Sequence, residues 1–211
     1  MPGFVVIGCG YVGERLARSL PGQVTALART AGRAAALRDA GLDAHQADLD
    51  VLDAGTGLPV PTAGRVLFYL VPPPGSGPDD PRLRRCLDAV QGRPARIVYM
   101  STTGVYGDAS GRDVDEDSPL APTSERARAR VDAEQAVRAW CEAAGVEWVI
   151  LRVPGIYGPG RLPLERIRRG EPMIREAEAG PGNRIHVDDL VRVCLAAGTS
   201  AAAANRVYNV G

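Results

Sequence analysis

Short, continuous apolar runs alternate along the chain with longer stretches of helical period. Residues 4–7 (FVVI) are wholly apolar and run into Gly8-Cys9-Gly10-Tyr11-Val12-Gly13, after which Val12, Leu16 and Leu20 recur at four-residue spacing. A run apolar on both faces predicts a buried strand, the glycines a tight turn, and the four-residue spacing an amphipathic helix. Further strands are predicted at 23–28, 43–47, 65–71 (RVLFYLV), 95–100 (ARIVYM), 146–153 (VEWVILRV), 184–187 and 206–210. Helices are predicted at 30–40, 82–90, 124–144, 162–169 and 188–197. Gly41 and Gly145 supply helix stops, Thr123 or Ser124 starts the longest helix, and Asp188 is the expected cap of the last. The intervening segments read as turns: 50–64, the proline-rich 72–78, the rigid 154–160, 180–183 and the linker-like 201–205.

Six or seven strand-helix alternations without an internal repeat predict an α/β fold, a doubly wound parallel sheet of the Rossmann type. A chain of 211 residues can bury a full core as one domain, 1–211. Residues 155–183 are at most an excursion forming a small or truncated substrate lobe.

The first turn carries the chemistry. In G-x-G-x-x-G, the first glycine lets the chain turn, the second lets backbone approach a pyrophosphate, and the third lets helix pack on strand. Gly8, Cys9, Gly10, Tyr11, Val12 and Gly13 are thus candidates for dinucleotide binding. Arg29 and Thr30 end the second strand where an acid would select NAD, so NADP is favoured over NAD; alternatively Arg29 and Arg33 simply open a solvated helix. Asp48 and Leu49 end the third strand, where Asp48 either reaches an adenine or caps its turn. Val71 and Pro72 either border a nicotinamide site or begin a stiff surface connection.

Ser101, Thr102 and Thr103 follow the fifth strand and either hydrogen-bond a substrate or satisfy loop backbone. Arg126, Arg128 and Arg130 occupy the first turns of the longest helix, where cations oppose the helix dipole, so Glu134 or a bound anion is an expected compensation. Arg161, Arg166, Arg168 and Arg169 either meet a phosphorylated substrate or form a solvated face.

Composition narrows the options. The 25 acidic residues balance 25 basic ones, all arginine, so net charge makes no case for nucleic acid or a membrane. With no lysine, none can act as a Schiff base or general base. Four scattered cysteines and two histidines make a zinc site unexpected and suit a reducing, cytoplasmic setting. No apolar run approaches the roughly 18 residues of a membrane span.

Six stretches, taken in order, resemble the extended short-chain dehydrogenase/reductase superfamily, the NAD(P)-dependent epimerase/dehydratase group. They are GCGYVG from Gly8, MSTTGVYGD from Met100, DEDSPLAP from Asp115, LRVPGIYGPGR from Leu151, RIHVDDL from Arg184 and YNVG from Tyr208. The resemblance implies that Gly8, Gly10 and Gly13 cradle the pyrophosphate, Arg29 meets a 2′-phosphate, and Asp48 and Leu49 flank adenine. It also places Thr102 at the catalytic Ser/Thr position and His186 in a segment supporting the substrate lobe.

The departure lies in Tyr-x-x-x-Lys-x-x-x-Glu: counted back from Glu134, Arg130 stands at the lysine position and Arg126 at the tyrosine position. Neither arginine is an acid near neutral pH, which leaves Tyr106 or Tyr157 as substitutes. The family also continues past the YNVG strand, so the chain reads as a minimal form or a fragment.

Two functions follow. One is an NADP-dependent oxidoreductase or epimerase/dehydratase of a sugar nucleotide or related substrate, with a catalytic set drawn from Thr102, Tyr106, Arg126 and Arg130. The other is a non-catalytic NADP(H)-binding sensor. The expected partner is a small-molecule substrate, and the resemblance implies a possible homodimer through the 126–140 helix.

Overall fold

The computed structural model describes residues 2–53, 55–162, 164–172 and 182–211. Seven strands form one parallel sheet: β1 (Phe4–Ile7), β2 (Val24–Ala28), β3 (Asp43–Gln46), β4 (Val66–Tyr69), β5 (Arg96–Thr102), β6 (Glu147–Val153) and β9 (Arg206–Asn209). Their order is β3-β2-β1-β4-β5-β6-β9. The chain winds outward from β1 to β3, then returns to lay β4 beside β1, with Phe4 opposite Val66 and Ile7 opposite Tyr69. That reversal opens a crevice beyond the strands' C-terminal ends.

The two-residue period of the strands splits their side chains into two cores. Phe4, Val6, Val66, Phe68, Val98, Val149 and Leu151 face α1 (Tyr11–Ser19), α2 (Ala31–Asp39) and α6 (Val187–Thr199). Val5, Ile7, Leu67, Tyr69, Ile97, Tyr99 and Ile150 face α3 (Pro81–Asp88) and α4 (Glu125–Ala144). Burial on both sides is why these segments read as unbroken apolar runs. Each fully buried Leu, Ile or Phe contributes about 1.5–3 kcal/mol.

Capping sets the helix boundaries. The side chains of Thr30, Asp80 and Ser124 accept from the backbone N–H groups of Arg33, Leu83 and Ala127, and Pro81 opens α3. Gly145 ends α4 in the left-handed conformation, at φ 62°. The start of α6 corrects the sequence reading: its cap is His186, whose ring accepts from the N–H of Asp188. Asp188 and Asp189 instead occupy the first turn, where carboxylates favour the positive end of the helix.

The 154–160 segment also differs from its expected turn. It contains β7 (Gly155–Tyr157), which pairs in parallel with β8 (Arg184–His186), Ile156 opposite Ile185. Within the expected 155–183 excursion, α5 (Leu164–Arg168) follows β7, and residues 173–181 lie outside the described residues. A 3-10 turn at Ala201–Ala203 replaces the expected linker. Residues 180 and 181 of the expected 180–183 loop, and the side chain of Arg166, lie outside the described residues.

Candidate functional site

A cleft of about 590 Å³ opens where the strand order reverses, along the C-terminal ends of the sheet. The three glycines after β1 shape its floor in different ways. Gly8 has φ +93°, and a Cβ there would lie 2.8 Å from Val71 Cγ2 and 3.0 Å from the Val71 nitrogen. A Cβ on Gly13 would lie 2.7 Å from the Gly8 carbonyl oxygen. A Cβ on Gly10 would meet nothing within 4 Å. The outer glycines are thus demanded by packing, and the middle one keeps space open. Gly10 also caps α1 without a side-chain hydrogen bond, so the first-turn N–H groups are left to water or a ligand.

Gly8, Cys9, Gly10, Tyr11, Val12, Gly13, Arg29, Thr30, Asp48, Leu49, Val71 and Pro72 all line this cleft. From β3 to β5 is four strand spacings, roughly 19 Å, a span suited to an extended dinucleotide.

At the β2–β3 end, guanidinium groups are matched with carboxylates. Arg33 donates to Glu14 Oε2 at 2.6 Å and to the Cys9 carbonyl at 3.3 Å. Arg82 donates to both oxygens of Asp50 at 2.6 Å and to the Pro72 carbonyl at 3.2 Å, clasping two loops together. Arg29 lies 4.0 Å from the same Asp50. Hydrogen bonding from Arg82 holds the Asp50 carboxyl below the usual range, and Arg33 followed by Arg18 does the same for Glu14. Asp48 Oδ1 accepts from the Asp50 N–H at 3.0 Å, so Asp48 caps its own turn. The Cys9 thiol is pushed up to about 11 by burial.

The β5–β6 end is lined by Met100, Arg126, Arg130, Ile156 and Arg161. Arg130 is 7% exposed and donates to the Tyr99 hydroxyl at 3.0 Å and the Met100 carbonyl at 2.8 Å. Arg126 stands one turn before it, exposed. Arg161 stacks on Tyr11 with its guanidinium carbon 4.2 Å from the ring centroid, and Arg15 covers Tyr11 at the same distance. The Tyr11 hydroxyl donates to the Pro159 carbonyl at 2.9 Å, tying α1 to the loop that carries Arg161.

Of the four candidates for catalysis, the structure brings Arg126 and Arg130 to the cleft and sets Thr102 and Tyr106 outside its lining. Thr102 Oγ1 accepts from the Gly104 N–H at 3.2 Å, capping a 3-10 turn at Thr103–Tyr106. The Tyr106 hydroxyl donates to Asn209 Oδ1 and accepts from Arg152, both at 2.7 Å. Tyr157 lines a separate pocket against α6 and β9. Ile7, Met100 and Ile156 were missed; Ile7 ends β1, Met100 lies two residues before the end of β5, and Ile156 is the middle residue of β7, so only Ile7 stood at a place that marks the ligand edge. Arg82 was missed as well; its clasp spans 32 residues and leaves no local signature.

The sequence model of the NAD dependent epimerase/dehydratase family matches residues 83–211. The chain belongs to this family. It is 30% identical to protein YeeZ of Escherichia coli over 197 residues, covering 88% of this chain and 69% of that one. It is 29% identical over 130 residues to the dTDP-glucose 4,6-dehydratase of Streptomyces niveus, covering 56% and 38% of the two chains. The structure of MoeE5 in complex with UDP-glucose and NAD superposes with a TM-score of 0.75 at 26% identity, over 99% of this chain and 76% of that one. No helix among the described residues is long and apolar enough to cross a membrane.

Proposed function

We propose that this family member binds NADP(H) along the β1–α1 turn and acts on a sugar nucleotide or related substrate in epimerase/dehydratase-like chemistry. The observation that carries the reading is the contrast among the three glycines: two are closed by packing, while the third opens onto a helix start that no side chain caps. A pyrophosphate fits such a place by charge and by N–H geometry. Arg29, 65% exposed and paired with Asp50 only at 4.0 Å, is free to meet a 2′-phosphate. A bound nicotinamide supplies or accepts hydride. The contribution of the chain is to hold the phosphates at α1 and to place cationic groups at the β5–β6 end.

The second reading is an NADP(H)-responsive module without turnover, favoured by the identity of the groups at that end. Arg126, Arg130 and Arg161 offer only N–H donors, and the hydroxyls of Tyr11 and Tyr106 are committed to Pro159 and to Arg152 with Asn209. Fluorescence titration with NADPH and NADH, followed by NADPH oxidation against UDP-glucose, dTDP-glucose and simple carbonyls, separates the two. Turnover supports the enzyme, tight binding without turnover supports the module, and no binding overturns both.

A further inference from the structure

The cleft treats its two ends differently. At the β2–β3 end each of Arg29, Arg33 and Arg82 has a carboxylate within ion-pair distance. At the β5–β6 end none of Arg126, Arg130 and Arg161 has one among the described residues, and Asp48, at the far end, is the one carboxylate among the described lining residues. Three unmatched guanidinium groups around one cleft repel one another, and an anion relieves that repulsion.

Arg161 and Arg130 are also held in place. Arg161 lies flat on Tyr11, whose own hydroxyl is anchored, and its loop turns through Gly158 at φ +150°, where a Cβ would lie 2.7 Å from Val187 Cγ1. Arg130 is fixed through one terminal nitrogen to Tyr99 and Met100, while its other nitrogens make no hydrogen bond among the described residues. Arg126 occupies the first turn of α4, where a cation opposes the helix dipole. The acid beside it, Glu125, accepts instead from the Gly77 N–H at 3.2 Å. Asp80 is buried as the cap of α3 and makes no ion pair with Arg130.

We propose that the β5–β6 end of the cleft is a second anion site, in which Arg126 and Arg161 take the phosphate or carboxylate group of a second small ligand and Arg130 backs them. It rests on the reading that the cofactor's pyrophosphate lies at α1, and it makes the co-ligand acidic at the point where it enters this end. Arg128, two residues from Arg126 on the same helix, is outside the cleft lining and donates to the Thr123 carbonyl, which makes it a charge-matched control.

The test is calorimetric titration of NADPH-saturated protein with inorganic phosphate and, separately, with malonate. One bound anion per chain is expected, weakened about tenfold by Arg126→Gln and by Arg161→Gln and little changed by Arg128→Gln or Arg126→Lys. Tighter phosphate identifies a phosphorylated ligand and tighter malonate a carboxylated one. Absence of binding for both probes, or equal losses in Arg126→Gln and Arg128→Gln, overturns the second site. Should NADPH itself fail to bind, the cofactor reading falls. The same titration on unloaded protein then decides this site alone: loss with Arg126→Gln but not with Gly13→Ala upholds it, and the reverse overturns it.

Discussion

Arg152 meets Glu134 through two nitrogens, at 2.9 and 3.2 Å, with both side chains 2% exposed. Ser101 donates to the same carboxylate at 2.6 Å, and the remaining Arg152 nitrogen reaches Tyr106 and the Glu116 carbonyl. The pair thereby locks α4, β5 and β6 together behind the cleft. Removing one partner strands a buried charge, a loss of about 3–5 kcal/mol, or roughly 10 °C in melting temperature for a chain of this size. Arg152→Met and Glu134→Leu are each expected to melt that much earlier by calorimetry, and the double variant to lose clearly less than the sum. Additive losses would mean that the two side chains act independently.

Asp80 offers a pH-dependent test. Burial raises its carboxyl pKa, the backbone N–H of Leu83 and the charge of Arg130 pull partly against that shift, and Oδ2 has no hydrogen-bond partner. For an acid whose folded pKa lies above its unfolded one, the folded state holds the proton more tightly, so stability is lost as pH rises from the unfolded value through the folded one. Asp80→Asn keeps a capping side chain and removes that charge, so it should gain stability relative to the parent above this window and not below it. Asp80→Ala loses the cap and costs about 1 kcal/mol. Melting curves from pH 3 to 8 check the crossing; a constant offset for Asp80→Asn would dismiss it.

The main elements were legible because local and tertiary preferences coincide. FVVI is buried on both faces, Gly8 and Gly13 behind it sit where a Cβ would strike Val71 or the Gly8 carbonyl, and the twelve residues assigned to a cofactor converge on one cleft. What escaped was decided at long range. Gly155–Tyr157 becomes a strand only by pairing with Arg184–His186, and three residues carry too little pattern to announce it. His186 caps α6 although aspartate is the commoner cap, because the helix begins one residue earlier than the Asp188 signal suggested. Tyr106 follows three hydroxyl residues at a strand end, yet a buried arginine from β6 draws its hydroxyl toward β9.

Cofactor choice should rest on Arg29. Its ion pair with Asp50 is long and exposed, and such pairs contribute little, so little is lost when the guanidinium turns to a phosphate. A charge-assisted hydrogen bond is worth about 1.5–3 kcal/mol, so Arg29→Ala is expected to weaken NADPH binding about tenfold or more and leave NADH within about twofold. Parallel fluorescence titrations check it. Equal weakening of both cofactors would place Arg29 at a group they share.

Gly10 and Gly13 separate the cradle from the packing that supports it. An alanine at position 10 projects into open space, so folding is expected to be unchanged while the methyl group occupies the room a pyrophosphate needs. An alanine at position 13 meets the Gly8 carbonyl at 2.7 Å and forces α1 off β1, a packing strain of about 1–3 kcal/mol. Gly10→Ala should therefore keep the parent melting temperature and lose NADPH affinity, whereas Gly13→Ala should lose both. If Gly10→Ala binds NADPH as the parent does, the phosphates do not lie at the start of α1, however well the turn is shaped for them.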